Sequence, residues 1–266
     1  MNIYVKELKS HRKSLIYWSV GIFLMVASGM AKYAAYSSSG QSINDLVADL
    51  PNSMKVVMGF NTMDLSKISG YYGMFYIYLL LMATIHAAML GATIIAKEER
   101  DKTSEFLFVK PVSRNTIITA KLLAAFTNIV VFNLVSYVSL IILIGKYNKN
   151  GEAVNGDIAI TMLGMFILQV LFMVIGSALA SVKRKPKTAA SLAAGILLIT
   201  YILSIAIDLN EHIEGLKYFT PFKYFEAKNI MYGGGVDTVF VVLSIVLITV
   251  LSIVTYVFYK KRDLNV

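Results

Sequence analysis

The sequence contains no cysteine, which excludes disulfides and thiolate chemistry outright. Charge is scarce as well: 15% of the 266 residues are Asp, Glu, Lys or Arg, against 57% hydrophobic, and the mean hydropathy is +0.66. An ordinary soluble domain carries about 25% charged residues. The length would permit one or two globular domains, but the composition rejects them. Catalytic signatures are missing too, with no GxxxxGK[ST] phosphate loop, no HExxH, no GxSxG and no dinucleotide fingerprint. The three histidines, His11, His86 and His212, fall in three separate regions with no metal-triad spacing. No metal or cofactor is expected to be bound by this chain.

What is present is a series of stretches without a formal charge. They run over residues 14–31, 68–96, 122–145, 158–182, 188–207 and 238–259, with lengths of 18, 29, 24, 25, 20 and 22 residues. A helix rising about 1.5 Å per residue needs roughly 20 residues to cross about 30 Å of hydrocarbon. Six spans are therefore expected, at about 14–36, 68–96, 116–145, 158–182, 188–207 and 238–259, in one all-α membrane domain over residues 1–266. The first is the shortest and reaches Lys32, whose ammonium can snorkel to the headgroups. No small-x-small cleavage site follows it, so a retained span is expected in place of a signal peptide.

Basic residues sort unequally between the two sides. The head, the 97–121 segment, the 183–187 segment and the tail hold seventeen of the 25 Lys and Arg, and the opposite side holds eight. Positive residues accumulate on the cytoplasmic side, which places both termini there. The net charge of +9 then reads as topology and attraction to anionic lipid. No nucleic-acid partner is implied.

On the outer side, SINDLVADLPNSMKVVMGF predicts one or two short interfacial helices broken at Pro51, and LKYFTPFKYFEAKNIMYGGG predicts aromatic anchoring near the headgroups. His86 lies within an apolar span, where it fits either a protonatable group facing a pathway or a neutral histidine bonded to a neighbouring helix. The uncharged runs contain no acid, so a proton- or sodium-driven relay lacks its groups. The pairs Ala87 with Gly91 and Gly176 with Ala180 allow close helix approach, within or between subunits.

Between the second and third spans lies KEERDKTSEFLFVKPVSRNT. Glu98 and Lys102 stand four apart with the acid first, which supports a helical turn. Pro111 discourages helix at Lys110, and Ser113 is a candidate N-cap for the next span. A short helix along the membrane surface, then a turn and re-entry, is expected. It serves as a docking surface or as a plain membrane-lying connector.

AKEERDKTSEFLFVKPVSRNTIITAKL resembles the segment joining the second and third spans in the membrane subunits of type-2 ABC exporters. A Glu-containing helix there leads into an apolar pair, a Pro-Val-Ser-Arg turn and a lysine in the following helix. The matching positions are Glu98, Glu99, Arg100, Glu105, Leu107, Pro111, Val112, Ser113, Arg114 and Lys121. LKYFTPFKYFEAKNIM also resembles the family's extracellular segment before the last span. Thr103 and Ser104 stand where many relatives carry a glycine.

The resemblance implies an ATP-driven exporter in which this non-catalytic chain forms the pathway with a second permease subunit, identical or related. ATP and Mg are then bound by separate cytoplasmic ABC ATPase subunits. Glu98, Glu99, Arg100, Asp101, Glu105, Leu107, Pro111 and Arg114 are implied to couple to the ATPase, with Arg114 and Lys121 anchoring the exit of the segment. YVKELKSHRKSLIYW resembles the family's amphipathic N-terminal helix, with Lys6, Lys9, Arg12 and Lys13 offered to membrane lipids or to the partner. A prokaryotic plasma membrane is the expected location. Two other classes remain: a membrane scaffold or sensor in a resistance or signalling module, and an intramembrane enzyme, for which His86 lacks an evident partner.

Overall fold

The computed structural model describes residues 2–38, 43–60, 63–101, 112–183 and 186–261. In chain order these form α1 (Ile3–Ser38), α2 (Ile43–Ala48), α3 (Asn52–Met58), α4 (Ile68–Arg100), α5 (Arg114–Tyr147), α6 (Asn155–Val182) and α7 (Pro186–Leu209). Two 3₁₀ segments follow, Glu211–Phe219 and Pro221–Lys223, then α8 (Ala227–Tyr232) and α9 (Thr238–Lys261). Among the described residues, α1, α4, α5, α6, α7 and α9 are long and apolar enough to cross a membrane. The protein is an all-α membrane protein with six transmembrane helices.

The six observed helices cover the expected spans and extend several of them. The largest difference is at the start. The pre-span segment is not a separate amphipathic helix; it is the first part of α1, which continues unbroken for 36 residues. Such a helix is about 54 Å long, well beyond the hydrocarbon thickness, so its basic first turns need no break to leave the lipid. At the far end, α2 and α3 are the short helices expected around Pro51, which precedes α3 with φ −55° and ψ 145°. The aromatic stretch forms the 3₁₀ segments and α8. There Phe222 sits against Phe172 and Tyr201, with ring centroids 5.4 and 5.3 Å apart, and Tyr224 stacks on Phe240 at 4.8 Å.

Packing divides the bundle into an inner pair and an outer set. α4 and α6 make the most extensive contact and are the most buried of the six. α1 rests on α5, α9 on α6, and α7 on α4. Exposed apolar side chains follow along α1 (Tyr17, Leu24), α7 (Ile199, Ile202) and α9 (Ile245, Ile253), as lipid-facing surfaces require.

The inner pair depends on two of the small residues picked out in the sequence. A Cβ at Gly91 would collide with the Met173 carbonyl, and one at Gly176 with the Ala88 carbonyl. Ser177 Oγ donates to Gly91 O at 3.2 Å across the same seam. Close backbone approach lets dispersion accumulate where lipid supplies no hydrophobic drive. These small residues therefore pack helices within the chain.

Candidate functional site

The described residues place a buried ion cluster at the end of the bundle where α1 begins, α4 ends and α5 begins. Lys121 of α5 is fully buried, Glu7 of α1 is 1% exposed and Glu98 of α4 is 8% exposed. Lys121 Nζ donates to both Glu98 oxygens, at 2.8 and 2.6 Å, to Ile94 O at 2.6 Å, and to Glu7 Oε1 at 3.4 Å. An ammonium has three N–H donors and no acceptor, and here every partner lies on α1 or α4. One side chain thus ties three transmembrane helices together.

The second Glu7 oxygen is held by charge alone. Oε2 has no hydrogen-bond partner, but Lys97 Nζ lies 3.6 Å away and His11 Nε2 3.8 Å away. Two carboxylates therefore face two ammonium groups with the imidazole beside them. Ions taken out of water need such pairing, because an isolated charge in a low dielectric is prohibitively costly.

The start of α5 is fixed on its other side. Ser113 accepts from Thr116 N at 3.2 Å, confirming the N-cap read from the sequence. Arg114 Nη1 donates to Lys260 O at 2.7 Å, serving one of the last carbonyls of α9 that the helix itself leaves unbonded. Thr119 Oγ1 and the Tyr256 hydroxyl, 2.8 Å apart, add a second link. Tyr4 and Thr127 hydroxyls at 3.0 Å join α1 to α5. Both ends of the described chain therefore lie at this end of the bundle.

The residues picked out in the sequence divide into three groups. Glu98 faces inward to Lys121. Glu99 occupies the last turn of α4, while Arg100 and Asp101 are exposed and pair at 3.0 Å. Arg114 is the first residue of α5. Glu105, Leu107 and Pro111 lie outside the described residues, as does Lys102, the expected partner of Glu98. Lys6, Lys9, Arg12 and Lys13 are all exposed, opposite the face of α1 that carries Glu7 inward.

His86 is 3% exposed, with its ring centroid 4.8 Å from Phe132 and 5.3 Å from Trp18. Although they are far apart in sequence, His11 and His86 line one groove between α1 and α4, and His212 lies at the far end. Among the described residues, no group of three His, Cys, Asp or Glu is placed to hold a metal ion. The cluster has no nucleophile and no exposed acid–base pair. What it can do is carry a displacement from one helix to the next.

Two side chains that fix helix ends, Glu7 and Glu152, are not legible as such in the sequence. Glu7 stands within a basic segment, and Glu152 within a polar loop. Glu152 caps α4 from outside, accepting from Ile68 N and Ser69 N at 3.2 Å each and from Ser69 Oγ at 2.6 Å. A carboxylate there also meets the positive end of the α4 dipole. The signal for Glu7 was the stripe Tyr4, Leu8, His11, Leu15, Trp18, which it shares. For Glu152 no local pattern exists, because its partners are more than eighty residues away.

A family model described as ABC-2 family transporter protein matches residues 1–264. No curated protein matches the chain.

Proposed function

The chain belongs to the ABC-2 transporter family as a membrane permease component of an ABC transporter, and from that membership we propose that it forms the pathway of an ATP-driven exporter. In this reading a second permease subunit completes the pathway, and separate cytoplasmic ATPase subunits bind ATP and Mg. The ATPase docks on residues 97–110, both termini face the cytoplasm, and the complex sits in a prokaryotic plasma membrane. The export direction rests on the resemblance of the segment from Glu98 to Lys121 to that of type-2 exporters.

One observation carries the coupling role. The charged segment between Arg100 and Arg114 is flanked by the two helices that Lys121 clamps together and to α1, while Arg114 holds α9. A push on that segment therefore reaches four transmembrane helices through short polar contacts and rigid rods. Sidedness is supported by the sequence, in which the head, the 97–121 and 183–187 segments and the tail hold seventeen of the 25 basic residues.

The test is purification in mild detergent from the native cell, with a cysteine placed at Thr103 for crosslinking. An ATP-binding subunit crosslinked at residue 103 supports the reading. A functional preparation without an ATPase, in which residue 103 meets only lipid, would favour a scaffold or sensor.

A further inference from the structure

The groove between α1 and α4 has the polarity profile of an amphiphile. α1 and α4 run antiparallel here, so Ser10 meets Lys97 at the mouth and Trp18 meets His86 deeper in. The mouth is lined by Ser10, His11, Ser14, Thr93, Lys97 and Arg100, and the floor by Trp18, His86, Met89 and Leu90, around a cavity of about 290 Å³. From Arg100 to His86 the α4 wall descends about 21 Å, which is more than half of a hydrocarbon core.

Two further observations mark this groove off from ordinary lipid-facing surface. α4 is buried or half-buried along its whole length except at Met89 and Arg100, and both of those line the groove. The inner helix thus meets its surroundings here. Lys97 and Arg100 stand together at the polar mouth; Lys97 lies 3.6 Å from Glu7 Oε2 and Arg100 Nε 3.0 Å from Asp101 Oδ1, and an ammonium and a guanidinium each keep further N–H donors beyond one such contact.

We propose that this groove is a binding site for one anionic phospholipid of the leaflet at this end of the bundle. The phosphate meets Arg100 and Lys97, the hydroxyls of Ser10 and Ser14 serve the glycerol region, and an acyl chain runs down past Met89 and Leu90 to Trp18. Oxygen-rich monoanions suit a guanidinium beside an ammonium, and apolar side chains further in suit the chain. The lipid so held would brace α1 against α4 beside the ion cluster. This inference concerns a lipid bound by the permease; it does not depend on which solute moves, and it requires that an ATPase docked on residues 97–110 leave the groove side of Lys97 and Arg100 to the lipid.

Trp18 is the only tryptophan in the chain and lines the groove, so tryptophan fluorescence arises from this one position. The experiment reconstitutes the purified full-length chain in bilayers containing acyl-brominated phosphatidylglycerol or acyl-brominated phosphatidylcholine and measures quenching against mole fraction. Juxtamembrane basic groups favour anionic lipid by roughly five-fold each, so half-quenching is expected at a several-fold lower fraction of the anionic lipid. Arg100→Gln should reduce that preference about five-fold, with Lys97→Gln as a second variant. Lys32→Gln, at the other end of α1, should leave it unchanged. Equal quenching by the two lipids would overturn the site, as would a preference that survives both Arg100→Gln and Lys97→Gln. Relief of quenching by soluble glycerol phosphate would also overturn it, by assigning the groove to a free phosphate. Because Lys97 also touches the ion cluster, Arg100→Gln decides the matter if the Lys97 variant misfolds.

Discussion

Lys121 Nζ lies 2.6 Å from Glu98 Oε2, with the lysine wholly buried and the glutamate nearly so. The contact joins the two helices on either side of the charged segment. Breaking a buried pair from one side leaves an uncompensated ion and costs about 3–5 kcal/mol. Lys121→Met is expected to destabilise the protein by that order, since it strands Glu98 and weakens the hold on Glu7. The double variant Lys121→Met, Glu98→Gln should recover part of the loss, because Lys97 remains to pair with Glu7. Thermal unfolding in detergent, read as a double-mutant cycle, checks it; additive losses would mean that the pair is not coupled.

The α4–α6 seam gives a steric prediction. Gly91→Val and Gly176→Val place branched side chains against the backbone carbonyls of Met173 and Ala88, where no rotamer change offers relief. Both should lose folded yield or melt well below the parent protein. Gly195, on α7, has no atom within 4 Å of an added Cβ, so Gly195→Ala should be tolerated and should gain up to about 1 kcal/mol of helix propensity. Detergent melting temperatures of the three variants separate seam packing from general intolerance of substitution.

Much of this architecture could be read from uncharged runs, because length against bilayer thickness fixes how many helices cross. Pro51 likewise marked the break between α2 and α3. What those runs did not reveal was which face of each helix turns inward. A lipid-facing surface is as apolar as a core, so the usual contrast between faces disappears. The inward position of Glu98 is an instance: it continues the α4 stripe of Gly91 and Ile94, but its neighbours Lys97, Glu99 and Arg100 made it look like part of a solvated run. Glu7 was obscured in the same way by Lys6 and Lys9. In both cases a charge on the packed stripe was the available signal, and the partner, Lys121, lay on another helix.

Two carboxylates outside the spans respond to pH with opposite signs. Asp64 is held below the usual carboxylate range by hydrogen bonds from Ser66 and Asn44. Its contribution is present above the ordinary aspartate pKa and is lost as pH falls through the depressed value. Glu226 is pushed up by burial, against the pull of Lys223. Its folded state takes a proton more readily than the unfolded chain, so its contribution is greatest below the ordinary glutamate pKa and declines as pH rises through the folded value. Glu226→Gln should therefore flatten the pH dependence of stability above the glutamate range, while Asp64→Asn should flatten it on the acid side. Melting curves across pH 3–7 (roughly the span of perturbed carboxylates) test both signs.

Topology can be tested directly in this cysteine-free chain. Ser38 and Asn150 are exposed at the far end, where a pocket of about 410 Å³ brings Tyr33 and Ser37 together with Asn148 and Glu152. Single cysteines at Ser38 and Asn150 are expected to label from outside intact cells, and one at Thr103 only after permeabilisation. Labelling at residue 103 from outside would reverse the orientation and remove the docking surface from the cytoplasm.

Glu98 and Glu105 both belong to the proposed coupling region, but their variants should fail in different ways. Glu98 is committed to Lys121 inside the bundle, so Glu98→Gln acts first on the protein itself, lowering its melting temperature whether or not an ATPase is present. A charge at a partner interface behaves differently, because reversing it makes a favourable contact repulsive without touching the isolated fold. Glu105→Lys is accordingly expected to leave the melting temperature of the purified chain within a degree or two, roughly the effect of a neutral surface change. It should nonetheless reduce co-purification of the ATPase or uncouple ATP hydrolysis from transport. Lys149→Glu, at the far end, serves as the control and should change neither readout. If Glu105→Lys left both assembly and coupling intact, residue 105 would not face the ATPase, and the docking surface would have to be sought on the exposed Arg100 and Asp101 or on the basic face of α1.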